Sequence, residues 1–68
     1  MSVKCTIFIQ KDDDWYVATD ILSGVASQGK TLDESIESLK EALELYYEDN
    51  SPEIEQSPVY VTTLEVAI

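Results

Sequence analysis

The sequence contains no histidine and a single cysteine, with only two glycines and two prolines among its 68 residues. Without histidine the chain lacks the most common general base, and Cys5 lies in phase with apolar neighbours, so we expect it to be buried and unreactive. One cysteine cannot form an internal disulfide, which makes the cytoplasm the expected location. Because the sequence shows neither a signal peptide nor a run of about 20 apolar residues, we expect no association with a membrane.

Basic residues are also scarce: fourteen acidic residues stand against four basic ones, giving a net charge of −10 at pH 7. Such a field repels phosphate backbones, so we expect no direct binding of nucleic acid. It attracts a basic protein surface or a hard cation, although the charge could also serve only to keep a small domain soluble. The apolar content of 44% is typical of a globular chain. We expect residues 1–68 to form one domain that is marginally stable as a monomer.

The clearest local signal is an amphipathic helix that ends near Asp49. Thr31 and Glu34 have the spacing of a capping box, in which a hydroxyl and a carboxylate satisfy two free amides at the start of a helix. The apolar residues that follow at spacings of four and three form one stripe: Leu32, Ile36, Leu39, Leu43 and Tyr46. We expect this stripe to cover a sheet, and Gly29 to permit the backbone bend that leads into the helix.

Four segments have the alternation or the β-branched and aromatic content of strands: residues 3–10, 15–19, 25–28 and 59–68. The aspartates between the first two predict a hairpin turn. The sequence therefore predicts an α+β fold, βββαβ, with a four-stranded mixed sheet in the order 3-2-1-4 and the helix on one face. Because the other face has no cover, we also predict a homo-oligomer, a dimer or larger.

Several stretches from the second strand to the end of the helix match a known pattern: Tyr16-Val17-Ala18, Gly24, Ser27 to Ser35, and Glu41 to Tyr46. They resemble the HicB-like antitoxin family, whose hallmark is Gln-Gly-(Asp)-Thr-Leu-Glu-Glu-Ala leading into a helix that ends near Glu-Ala-Leu-Glu-Leu-Tyr. The resemblance implies a partial ribonuclease-H-like domain without the catalytic set. Such a domain binds and masks a small basic HicA-like ribonuclease toxin of a type II toxin–antitoxin system.

The chain departs from that family in three places. The segment from Asp20 to Gly24 lacks the two prolines that are usual there, and Lys30 and Ser35 stand where an acid and an alanine are usual. Many family members also add a C-terminal DNA-binding domain, which we do not expect here. These departures leave open an alternative function, a stand-alone oligomeric binding module without a toxin partner.

Candidate site residues cluster around the first hairpin. Ribonuclease-H chemistry needs carboxylates that converge on two divalent ions, but three consecutive aspartates in a turn fan outward. We therefore expect no enzyme activity, no bound metal and no cofactor, and we keep a metal-dependent nuclease only as a third, weaker class. Aromatic residues beside acids can anchor an interface, although one of the two here could pack under the helix. The predicted partner-binding residues are Asp13, Asp14, Trp15, Tyr16 and Asp20.

The outer side of the helix carries a second set of acids: Asp33, Glu37, Glu41, Glu44 and Glu48. An exposed helix face in contact with water is the ordinary explanation for them, and a docking stripe for a basic partner is the alternative.

Overall fold

A three-stranded sheet and one helix make up the fold of residues 3–49 and 58–68, the part of the chain that the computed structural model describes. The sheet has the order β1-β2-β3 and both pairs are antiparallel. No helix within these residues is long and apolar enough to cross a bilayer. The elements are β1 (Ile7–Asp12), β2 (Trp15–Asp20), β3 (Ala26–Gly29) and α1 (Leu32–Asp49).

The predicted fourth strand is not formed. Residues 58–68 adopt neither helix nor strand, and every one of them is exposed. The expected βββαβ fold, with its four-stranded mixed sheet in the order 3-2-1-4, is therefore wrong for this chain. Alternating β-branched residues show that a segment suits a pleated, half-buried surface, but pairing depends on the tertiary contacts that the segment finds. In this structure the outer edge of β1 is not paired by residues 58–68.

The start of α1 is fixed by Thr31 and Glu34, and one of the two bonds of the predicted capping box is confirmed, while the second goes to Lys30 instead of Thr31. The Glu34 backbone N–H donates to Thr31 Oγ1 at 3.0 Å, and the Lys30 N–H donates to Glu34 Oε2 at 2.9 Å. Both side chains thereby satisfy amides that have no partner inside the helix. Asp33 and Glu34 also place negative charge in the first turn, where the helix dipole favours it.

Gly29 has a different role from the one expected. Its φ does not lie in the left-handed region, where Gly24 has a φ of 79°. A Cβ built on Gly29 would instead lie 2.5 Å from Ser35 N and 2.7 Å from both the carbonyl carbon and the Cβ of Glu34. The glycine is therefore needed because the first turn of α1 lies directly against β3, not because the chain bends there.

This close contact rotates the helix relative to the predicted stripe. Leu39 and Leu43 are buried as expected and pack with Ala18 of β2. Ser35 is also fully buried, and its hydroxyl donates to the Leu32 carbonyl at 2.7 Å. The other three members of the predicted stripe are exposed: Leu32, Ile36 and Tyr46. The helix lies over β3 and β2 rather than over β1, so its apolar surface extends beyond the sheet that it covers.

Candidate partner-binding surface

The first hairpin presents three carboxylates at one end of the sheet. Asp12 and Trp15 are opposite each other, and Asp13 and Asp14 form the two-residue connection between them. Asp13 has a φ of 54°, a left-handed conformation that aspartate adopts more readily than most residues. All three aspartates are exposed. The tight turn therefore gathers negative charge beside the first residue of β2.

The two aromatic residues that follow the turn lie on opposite faces of the sheet. Ala18 is buried against the helix, and strand alternation therefore puts Tyr16 on the helix side and Trp15 on the other side. Trp15 is 40% exposed. The Lys30 ammonium lies 5.9 Å from the centre of its ring, and the Lys11 ammonium lies 5.8 Å from that of Tyr16. Both distances are within the range of cation–π contacts.

The face of the sheet that the helix leaves uncovered is here called the open face. The strand register assigns to it these residues: Phe8, Gln10, Asp12, Trp15, Val17, Thr19, Ala26 and Gln28. Phe8, at 39% exposed, and Trp15 are its large apolar side chains. The open face thus combines two accessible aromatic rings with the acidic turn at one end. Tryptophan is among the residues that contribute most to binding at protein interfaces, and phenylalanine is enriched there.

Asp20 lies apart from the other predicted site residues. It ends β2, at the opposite end of that strand from the turn, and is 1% exposed. Its Oδ2 accepts hydrogen bonds from the Ser23 N–H at 3.1 Å and the Ser23 hydroxyl at 2.5 Å. The Asp20 backbone bonds to Gly24 and Val25 in the same turn. This carboxylate therefore shapes the connection to β3, and we leave it out of the proposed surface.

An apolar groove that the sequence did not reveal lies beside β1. This β1–α1 groove has a volume of about 500 Å³. Val3, Cys5 and Ile7 line it on one side, and Ile36, Leu43 and Tyr47 are among the helix residues on the other. The groove escaped sequence reasoning because it depends on the helix lying over β3 and β2. The one sequence feature that pointed to this groove was the alternation of apolar residues over positions 3–7, which precede and include the first residue of β1.

Two ionisable groups in the groove stay protonated at neutral pH. Burial raises the pKa of the Cys5 thiol and the nearby Asp20 carboxylate raises it further, while a hydrogen bond with Tyr47 acts in the opposite direction. Burial is also the main reason why the pKa of Tyr47 is raised. A thiol is a poor nucleophile compared with a thiolate, so Cys5 serves here as a half-buried apolar side chain.

The described residues offer no obvious place for a metal ion. Among residues 3–49 and 58–68, no three cysteine or carboxylate side chains gather closely enough to hold one. The acids on the outer side of α1 are all exposed, as a solvated face requires: Asp33, Glu37, Glu41, Glu44 and Glu48.

Comparison with known proteins finds relatives that are named UPF0150 proteins. It is 46% identical to a UPF0150 protein of Archaeoglobus fulgidus over 48 residues, which cover 68% of this chain and 70% of the relative. A UPF0150 protein of Thermoplasma acidophilum is 36% identical over 58 residues, covering 82% and 84%. A third, from Helicobacter pylori, is 45% identical over 42 residues, covering 60% and 58%. No solved structure matches the chain.

None of these three relatives carries the HicB name, so the resemblance to HicB-like antitoxins stays a prediction. A family model matches residues 3–66, which is nearly the whole sequence and includes the exposed C-terminal segment. The chain therefore belongs to the family of unknown function DUF7387.

Proposed function

We propose that this protein is an antitoxin-type binding domain, similar to HicB, that binds and masks a small basic HicA-like ribonuclease toxin in the cytoplasm. The observation that carries the proposal is the open face, where Trp15 is accessible beside the exposed carboxylates of the turn and Phe8 is accessible at the other end of β1. Of the predicted site residues, Asp13, Asp14 and Trp15 belong to this surface. Tyr16 lies on the helix side of the sheet and supports the hairpin from there.

Charge decides which partner suits the open face. A chain with a net charge of −10 creates a field that speeds the approach of a cationic protein and repels nucleic acid. Accessible aromatic rings then supply the short-range contacts that hold the complex together. A basic ribonuclease has a cationic surface for RNA, and an acidic surface that covers it would block the substrate directly. We assign the domain no catalytic step of its own, since the chain has no histidine.

An alternative proposal is a stand-alone oligomeric binding module without a toxin. The observation that favours it is the β1–α1 groove together with the exposed apolar segment 58–68, two apolar surfaces that suit self-association. The two proposals differ in their genomic setting. The antitoxin proposal expects a neighbouring reading frame that encodes a short basic protein with a prominent histidine, whereas the alternative expects an isolated gene.

The decisive experiment is co-expression of the full chain with the product of the neighbouring frame, followed by calorimetric measurement of the dissociation constant. We expect Trp15→Ala to weaken binding by about 30-fold, which corresponds to the roughly 2 kcal/mol of a central aromatic contact. The matched control is Tyr46→Ala, because Tyr46 is an aromatic residue of similar exposure, 37% against 40%, that lies on the helix and outside the open face. Its effect should stay within about threefold.

A second pair of variants tests the contribution of charge. Replacing Asp13 and Asp14 by asparagine should slow association and reduce its dependence on salt, because acids at the rim of an interface mainly steer the encounter. Replacing Glu41 and Glu48 on the helix by glutamine removes the same charge elsewhere. Equal effects of the two pairs would contradict the assignment to the open face. Failure to bind any basic neighbour, with RNA cleavage by that neighbour unaffected, would refute the antitoxin role.

A further inference from the structure

The C-terminal segment, residues 58–68, differs from the rest of this acidic chain. Glu65 is its one charged side chain, and its apolar residues are accessible instead of buried. Strand alternation divides it into two sets. One set contains Glu65 with Val59 and Val61. The other set, here called the apolar set, has no charged side chain and consists of Tyr60, Thr62, Leu64, Val66 and Ile68. An exposed apolar strip of this kind is unusual on a stable monomer.

The β1–α1 groove is an apolar surface that nothing in the described part of the chain covers. Ile36 belongs to the apolar stripe of the helix but is 44% exposed, because the helix lies over β3 and β2 and leaves this side uncovered. Cys5 and Ile7 face the same groove from the other side and are only half-buried. Next to them, β1 is an edge strand whose outer side is not paired within the described residues. Unpaired edges beside apolar surface readily accept another segment of chain.

The total accessible surface shows how much burial is missing. The chain exposes 5945 Å², whereas a compact folded protein of 7.6 kDa exposes about 4,300 Å². The radius of gyration is 13.5 Å, against about 11 Å for a compact domain of this length. Part of this excess comes from segment 58–68, every residue of which is exposed and would lose exposed surface on docking. The buried apolar core of the described residues contains only Ala18, Leu39 and Leu43, so additional burial is needed for stability.

We propose that residues 58–68 of one copy dock in the β1–α1 groove of a second copy, with the apolar set facing the groove, and that the exchange is reciprocal. A twofold dimer of this kind buries both the exposed apolar segment and the uncovered groove, because each copy supplies one segment and one groove. The choice of a second copy over the segment's own chain follows from the structure, in which the segment is not part of its own sheet and each of its residues is exposed. The choice over a foreign partner follows from what each copy carries: the same chain has both the exposed apolar segment and the uncovered apolar groove, and the segment brings one charged side chain, Glu65, to the second copy. This dimer leaves the open face free and does not depend on the toxin proposal.

Two valines of the segment provide a matched test. Val66 belongs to the apolar set and Val61 to the other, and they have similar exposure, 66% and 62%. Native mass spectrometry and light scattering of the full chain over a range of concentrations should show a dimer. We expect Val66→Asn to raise its dissociation constant by about a hundredfold, since each of two grooves loses an apolar contact worth about tenfold. Val61→Asn should change it less than about threefold. Equal effects of the two variants would overturn the proposal.

The unsubstituted chain gives an independent test that does not rely on how well a variant folds. In a mixture of isotope-labelled and unlabelled copies, filtered NMR experiments detect contacts between different chains only. We expect contacts that join Leu64 and Val66 of one copy to Ile7 and Ile36 of the other. The proposal is overturned by a monomer at all concentrations, by contacts of the segment with its own groove, by a dimer joined through the open face, or by a copurified apolar molecule that occupies the groove of a monomer.

Discussion

Substituting Gly29 by alanine should be the most damaging single-methyl change in this chain. The added Cβ would lie 2.5 Å from Ser35 N and 2.7 Å from two carbons of Glu34. Contacts between such atoms need about 3.4 Å or more, so the first turn of α1 would have to move by nearly 1 Å. Two of the three atoms belong to the backbone and cannot rotate away. The same turn also carries the capping box and the fully buried Ser35.

The expected cost is about 3 kcal/mol, the upper end of the range for overpacked sites, because no flexible side chain can absorb the clash. A domain of this length has a total stability of roughly 3 to 10 kcal/mol. The variant should therefore melt about 12 to 24 °C below the unsubstituted protein, since each kcal/mol shifts the midpoint of a small domain by about 4 to 8 °C. Circular dichroism during thermal and urea unfolding measures both quantities.

Gly24→Ala is the matched control for this measurement. A Cβ at Gly24 would have no neighbour within 4 Å, but the residue has a φ of 79°. Its cost is therefore only that of a left-handed alanine, about 1 kcal/mol. If Gly29→Ala cost no more than Gly24→Ala, the close contact between β3 and the helix would not exist in solution, and the placement of the groove would lose its basis.

Three further predictions concern local features. Thr31→Ala removes the hydroxyl that accepts from the Glu34 N–H and should lower the free energy of unfolding by about 1 kcal/mol in urea titrations, while Thr31→Ser should retain most of it. Asp13→Val places a β-branched residue at a φ of 54° and should cost about 1 to 2 kcal/mol by the same assay, whereas Asp13→Asn should stay within about 0.5 kcal/mol. The free energy of unfolding should fall as the pH rises above about 9, because the raised pKa values of Cys5 and Tyr47 mean that the unfolded chain releases these protons first. Thermal melts between pH 7 and 10.5 test this, and Cys5→Ala should flatten the first part of the fall; stability that rises with pH over this range would contradict it.

The features that could be read from the sequence are those decided by near neighbours along the chain. The capping box of Thr31 and Glu34 depends on residues three positions apart, and the first hairpin depends on the turn residues between two β-rich segments. The hairpin is confirmed, and so is the hydrogen bond from the Glu34 N–H to Thr31, whereas the Glu34 carboxylate accepts from Lys30 instead of Thr31. The observed strand boundaries differ from the predicted ones by a few residues: β1 begins at Ile7 instead of Val3, and β3 covers Ala26–Gly29 instead of residues 25–28.

The features that could not be read depend on contacts between distant segments. The buried side of the helix was assigned by apolarity, which favours Ile36 over Ser35. The structure buries Ser35 instead, because a small side chain fits where the helix meets Gly29 and the hydroxyl finds a carbonyl partner. The sequence of residues 59–68 indicates a strand but not which sheet edge it meets. The role of Asp20 did have a local signal, an aspartate at the start of a turn that continues with Ser23 and Gly24.

The contact between Gly29 and Ser35 also determines how the molecule can adapt. Only Lys30 and Thr31 connect β3 to α1, and Gly29 packs closely against the backbone of Glu34 and Ser35. The first turn of the helix is therefore held in place against β3. Any widening or narrowing of the β1–α1 groove must therefore come from a swing of the opposite end of the helix, near Tyr47. A small tilt of the helix about its first turn therefore displaces the residues near Tyr47 by a larger distance. Amide exchange should accordingly be slowest near Ser35 and become faster toward Tyr47 until an occupant holds that end in place.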